Sequence, residues 1–141
     1  MRGLKVRTRQ TGATPTLRPG EQPTITTPTK GHIDVVTGVD QPGFNPLDLL
    51  YASVAACMVL SARIAAGRLG VGDRLRDVRA DVSGSKADGD VSRIGQFRIV
   101  LAIEGDIDPA TKRQIAENAE TICTVSNTLR GEPEFVTVFA D

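Results

Sequence analysis

Cys57, within GFNPLDLLYASVAACMVL, and Cys123, within ICTVSNTLR, are the only sulfur nucleophiles in the chain. A thiolate, not a thiol, attacks an electrophilic oxygen or sulfur, so a cysteine with an ordinary pKa near ~8.5 needs a cation or a helix dipole beside it to react at neutral pH. An apolar setting opposes that ionisation. If the two thiols meet, one can be oxidised to a sulfenic acid and the other can condense with it to a disulfide, which protects the first from irreversible overoxidation. The same residues suit plain burial equally well, because free cysteine behaves as a small hydrophobe. Residue type alone leaves both readings open.

Other chemistry-bearing residues are sparse. His32 is the single histidine; a Cys–His hydrolase would have to use it, but it falls in a short strand and reads as an ordinary strand residue. Cys57, Cys123 and His32 include zinc-binding atom types, yet no close Cys-x-x-Cys pair accompanies them. No metal or cofactor is assigned. Ser126, Asn127 and Thr128 follow Cys123 closely enough to donate hydrogen bonds near it, and helix capping accounts for them equally well.

The elements that must position the cysteines follow from local signals. Leu4–Thr8 alternates apolar and basic residues as a strand, a Pro/Gly-rich turn runs from Pro15 to Pro23, and β-branched runs at Thr24–Thr27 and Ile33–Val36 complete a small sheet. Asn45-Pro46 predicts a helix start, with Asn45 as N-cap, Pro46 at the first position and Asp48 facing unpaired N–H groups. From Leu49 to Ala66 that helix is apolar on nearly every face, as expected of a helix surrounded by sheet or by a partner subunit, and Gly67 and Gly70 mark its end. Leu75–Ser83 and Gln96–Glu104 alternate as long antiparallel strands joined by the polar loop Gly84–Ser92. Asp108-Pro109 repeats the helix-start signature and opens a second helix, whose Ile115, Ala119, Ile122 and Cys123 share one face. Asn127–Gly131 suggests a further helical turn, and Phe135–Phe139 alternates as a closing strand.

The whole chain of 141 residues suits a single domain, 1–141. A domain of that size buries roughly 68% of its unfolded surface and needs no disulfide to fold. Lys plus Arg and Asp plus Glu both total 17, so no strong field favours nucleic acid. Aromatic residues make up only 4%, which leaves few platforms for stacked bases. Leu47–Ala66 is long enough to cross a bilayer, but Asp48, Ser53, Ser61 and Arg63 interrupt it, which favours a buried core helix and no membrane partner. The first residues lack the apolar stretch of a signal peptide, which points to a reducing cytoplasm and against a permanent structural disulfide.

Taken together, NPLDLLYASVAAC and CTVSNTL resemble two segments of the OsmC/Ohr family of osmotically inducible and organic-hydroperoxide-resistance proteins: a Pro-Glu-x-Leu…Ala-x-Cys helix and a Cys-Pro-Val-Ser-x-Thr/Ala-Leu segment. The separation of Cys57 and Cys123 and the order of elements are similar over most of the chain. The resemblance implies an α+β fold with antiparallel sheets wrapped around a long central apolar helix, in an intertwined homodimer. It also implies a thiol-dependent peroxidase in which Cys57 attacks an organic, lipid-type hydroperoxide, Cys123 resolves the sulfenic acid, and a small dithiol or a lipoylated protein reduces the disulfide. The family's Glu after the helix-opening Pro is Leu47 here. Asp48 follows, as the acid does in other branches, and is equally explained as a helix-start residue. The family's catalytic Arg has candidates in Arg7, Arg9 and Arg18, with Arg18 carried forward, and an ordinary surface role accounts for each. The Pro after the second cysteine is Thr124. Without the Glu, the same fold could instead serve as a non-catalytic domain that binds an apolar small molecule in a dimer cleft.

Overall fold

The computed structural model describes residues 9–140; the strand expected at Leu4–Thr8, and Arg7 with it, lie outside the described residues. The chain divides into two compact units, with the boundary between Leu49 and Leu50.

The N-terminal unit carries a three-stranded antiparallel sheet of β1 (Thr14–Thr16), β2 (Thr24–Thr26) and β3 (His32–Asp34), in that spatial order. Ile25 is the centre of the register, opposite Pro15 on one side and Ile33 on the other. β1 corrects the expectation of a turn beginning at Pro15. Proline lacks an N–H and therefore suits an edge strand, which is where β1 lies.

Helix α1 (Pro46–Arg68) begins as expected. Asn45 Oδ1 accepts the Asp48 backbone N–H at 2.8 Å, and Asp48 Oδ2 accepts the Asn45 N–H at 3.0 Å. This reciprocal box satisfies two backbone donors that no helical carbonyl can reach. The helix ends two residues later than Ala66, where Gly70 takes the left-handed conformation (φ 75°). There the Val71 N–H bonds Ala66 O at 2.9 Å and the Gly70 N–H bonds Gly67 O at 3.1 Å, the Schellman pairing that glycine permits without a Cβ clash.

In the C-terminal unit a 3-10 turn (Gly72–Arg74) leads into β4 (Leu75–Lys86), which pairs antiparallel with β5 (Ile94–Gly105). Val78, Ala80 and Val82 stand opposite Ile103, Leu101 and Ile99. These residues pack on one cluster with Val54, Met58, Ala62, Ala65 and Ala66 of α1. A bulge between Leu75 and Asp77 shifts the parity of the strand, so Leu75 joins the same cluster as Val78, three residues on. Gly105 (φ 151°) faces this bulge, and a side chain there would run into the Arg74 carbonyl oxygen. β4 continues into the segment expected to be a loop, because Gly84 and Ser85 are held by pairing with Phe97 and Gln96, and β5 starts two residues before Gln96. Tyr51 lies over Gly84 and meets the Phe97 ring edge-on, with centroids 6.0 Å apart.

Helix α2 (Pro109–Ile122) starts on Asp108, whose carboxylate accepts the Thr111 N–H at 3.0 Å and the Thr111 hydroxyl at 2.7 Å. It buries Ile115 and Ala119 completely. Helix α3 (Thr124–Arg130) follows after the single residue Cys123 and starts earlier than the turn expected at Asn127. The segment expected to close the chain as a strand, Phe135–Phe139, forms no strand and is exposed throughout. Its alternation is a strand's, but a strand exists only with a neighbour to accept its ladder, and no strand among the described residues pairs with it.

Candidate functional site

The site lies in the C-terminal unit, where α1 and the α2–α3 junction each contribute one sulfur. Cys57 lies beside the buried stripe of α1, between Val54 and Ser61, and packs against the core cluster while keeping part of its surface exposed. Its backbone is committed to the helix, so α1 can aim the sulfur but offers it no free backbone donor.

Cys123 is fully buried. It ends α2 by donating its N–H to Ala119 O at 3.0 Å and starts α3 by accepting the Asn127 N–H at 3.0 Å. Its own backbone is extended (φ −62°, ψ 102°), which turns the side chain across the opening of α3. Cys123 Sγ accepts the Ser126 hydroxyl at 3.1 Å and the Ser126 backbone N–H at 3.5 Å. Asn127 Nδ2 donates to Thr121 O at 2.9 Å, which pins α3 to the last turn of α2.

Charge follows from these contacts. Burial pushes the Cys123 thiol up, but the Ser126 hydroxyl and N–H, the Cys57 thiol and the Val125 N–H together outweigh it and hold Cys123 below the ordinary cysteine value. Cys57 is thus one of the groups that lower the Cys123 pKa, and the two cysteines pack against the same core cluster. The thiolate form of Cys123 is therefore favoured relative to that of an ordinary cysteine.

The other expected site residues belong to the N-terminal unit. Asp48 is part of the α1 capping box, with one carboxylate oxygen engaged by Asn45. Arg18 is exposed in the turn after β1, where its carbonyl accepts the Glu21 N–H at 3.1 Å. Arg9 donates to Thr29. Leu47, in the position of the family's Glu, is 41% exposed. His32 lies on β3, 3.9 Å from Asp34, with both side chains largely exposed. Of the three polar residues after Cys123, Ser126 alone bonds the sulfur, while Thr128 donates to Thr124 O at 2.7 Å.

Sequence reasoning did not find the polar group formed by Glu120, Arg130 and Glu132. Glu120 and Arg130 are ten residues apart and meet at 2.7 Å only because α3 turns back beside α2. No local spacing rule announces such a pair.

An antiparallel α+β fold with a long apolar helix is the architecture of the OsmC class of proteins. The chain matches the family model described as OsmC-like protein over residues 38–138, and it belongs to that family. Its fold is similar to that of an OsmC-like protein from Mycoplasma pneumoniae, with a TM-score of 0.74 at 18% identity, covering 88% of this chain and 89% of that one. It is also similar to the organic hydroperoxide resistance protein OhrB of Bacillus subtilis (TM-score 0.64, 25% identity, 86% and 92% covered). A third similar structure is the organic hydroperoxide resistance protein OsmC of Legionella pneumophila (TM-score 0.69, 21% identity, 89% and 93% covered). No curated protein sequence matches it.

Proposed function

We propose that the protein is a thiol-dependent peroxidase that reduces organic hydroperoxides through Cys57 and Cys123. The observation that carries this reading is the thiol pair itself, a partly exposed Cys57 and a buried Cys123 at one core cluster, with Ser126 donating to the Cys123 sulfur. The printed names of the OhrB and Legionella structures add support for the class of substrate.

In this mechanism Cys57 passes its proton to Cys123 as its sulfur attacks the outer peroxide oxygen. The O–O bond breaks, a sulfenic acid forms on Cys57, and the alkoxide takes a proton from water and leaves as the alcohol. Cys123 then attacks the Cys57 sulfur, the S–OH bond breaks, water leaves and the disulfide forms. A dithiol, free or carried as a lipoyl group, returns both thiols and is itself oxidised. Asp48 and Arg18 are carried as the acid and the cation that would orient the peroxide.

The same reading includes a homodimer in a reducing cytoplasm. Its support is exposed apolar surface: Leu60 and Ile64 on the outer face of α1, and Phe135, Val136, Val138 and Phe139 in the tail, with both tail phenylalanines at least 90% exposed. A second copy would cover the helix face and give the alternating tail a strand to pair with. A second functional reading, a non-catalytic domain holding an apolar small molecule, is favoured by a cavity of about 530 Å³ in the C-terminal unit.

The test is consumption of cumene hydroperoxide and of hydrogen peroxide with dihydrolipoamide as reductant. Turnover should favour the organic peroxide, vanish in Cys57→Ser and leave a Cys57–Cys123 disulfide in reductant-free samples. An unchanged thiol count after stoichiometric hydroperoxide overturns the peroxidase and leaves small-molecule binding.

A further inference from the structure

The cavity ends on Ser126, the residue whose hydroxyl donates to Cys123, so its interior and the thiol pair share a wall. Val54 of α1, Phe97 and Ile99 of β5 and Leu129 of α3 make the remaining surface apolar. Its volume is in the range of pockets that enclose small organic molecules.

Its exposed margin is charged in an unbalanced way. Glu120, Arg130 and Glu132 all line it. Arg130 is neutralised by Glu120 at 2.7 Å, and Glu132 has no ion-pair partner among the described residues. Two carboxylates therefore stand against one guanidinium. Glu132 is also in the left-handed conformation (φ 48°), although Gly131, which would adopt it freely, immediately precedes it. Pro133 disfavours a right-handed helical Glu132 but would accept an extended one. Glu132, one of the residues that line the cavity, is thus held in a strained conformation, and strained non-glycine residues cluster at functional sites.

We propose that this cavity receives the apolar body of the hydroperoxide, and that Glu132 with the Glu120–Arg130 pair selects uncharged molecules over those ending in a free carboxylate. The inference names a substrate class for the peroxidase proposed above and rests on that reading. A carboxylate entering this margin adds a negative charge beside Glu132 and Glu120, and the one guanidinium there that would attract it, Arg130, is already paired with Glu120. An ester or alcohol of the same chain length meets neither penalty.

Binding of two unreactive probes, 1-decanol and decanoate, to the reduced full-length protein separates the charge effect from turnover. Isothermal titration at pH 7.5 and low salt should show 1-decanol binding at least about fivefold more tightly, a modest ratio because the charges are exposed and screened. Glu132→Gln should shrink that ratio, and so should 0.5 M salt. Hydroperoxides of methyl linoleate and linoleic acid should show the same order in kcat/KM. Equal affinity for the two probes, no saturable binding of either, or a ratio untouched by Glu132→Gln overturns the selectivity. Preference for 1-decanol without turnover of any hydroperoxide supports the charge selectivity and overturns only the peroxidase reading.

Discussion

Cys57 and Cys123 are the same residue placed in two kinds of backbone. Cys57 is interior to α1, where every nearby N–H already bonds a carbonyl one turn back, so its surroundings offer packing and partial access to solvent. Cys123 is the residue between two helices, and the opening turn of α3 has N–H groups without helical partners. The Ser126 N–H and hydroxyl fill that need by donating to the sulfur. A helix interior positions a thiol, whereas a helix start also stabilises its charge. One cysteine is thereby suited to meet a peroxide and the other to hold a proton or release it.

The largest effect that can break this division is loss of one sulfur at a time. Cys57→Ser should lower peroxidase turnover to the rate of the buffer, while Cys123→Ser, which removes the proton acceptor, should slow the first oxidation without abolishing it and lose the disulfide. In the second variant, intact mass spectrometry after excess hydroperoxide should show sulfinic acid accumulating on Cys57. Equal loss of the first oxidation in both variants would make the two sulfurs a single unit and end the division of roles.

A second prediction tests what holds the junction against α1. Ile115 is fully buried and shares its cluster with Cys123, Val54 and Met58. Ile115→Ala should cost about 2–5 kcal/mol in urea denaturation, from lost burial and the cavity left behind. At urea concentrations below unfolding it should also speed alkylation of Cys123 relative to Cys57, since α2 carries one thiol and α1 the other.

The electrostatic half of the comparison rests on Ser126. Ser126→Ala removes the hydroxyl donor, so the Cys123 thiol should ionise at higher pH than in the parent, read as thiolate absorbance in a Cys57→Ser background shared by both proteins. The sign for stability follows from the depressed folded pKa. The contribution is fully present above the unfolded thiol value, near ~8.5, and is lost as pH falls through the lower folded value. Between those two points the parent should gain more stability with rising pH than Ser126→Ala does. A parallel pair of pH–stability curves would show that Ser126 serves packing only.

Legibility in the sequence followed how local each signal was. Asn45-Pro46 and Asp108-Pro109 announce their helices because a cap is made within four residues. β4 overran the expected loop because Gly84 is held by Phe97 across the hairpin and by Tyr51 above it, neither of which its own neighbours reveal. Phe135–Phe139 shows the opposite case, a correct alternation without a neighbouring strand. The meeting of the cysteines was expected from family resemblance, since 66 residues of separation carry no contact information of their own. Ser126 was only one of three candidate donors until α3 was seen to start at Thr124, which places it at the third helical position over the sulfur.

The smallest effect concerns Thr124, where the family segment has proline. Proline at this position removes an N–H, fixes φ near −65° and restricts the residue before it to extended backbone. Thr124 is the first residue of α3, a position whose N–H has no partner within the helix and where proline is favoured. Cys123, the residue before it, is already extended at ψ 102°. The threonine therefore leaves in place the geometry that a proline would impose, and the substitution acts mainly by limiting the unfolded chain. Thr124→Pro should stabilise the protein by about 0.4–1 kcal/mol in thermal or urea unfolding. It should leave the ionisation of Cys123 unchanged, because Ser126, Cys57 and the Val125 N–H, and not the residue at 124, are the groups that lower its pKa. A clear destabilisation, or a shifted Cys123 titration, would mean that the Thr124 backbone contributes to the sulfur's setting.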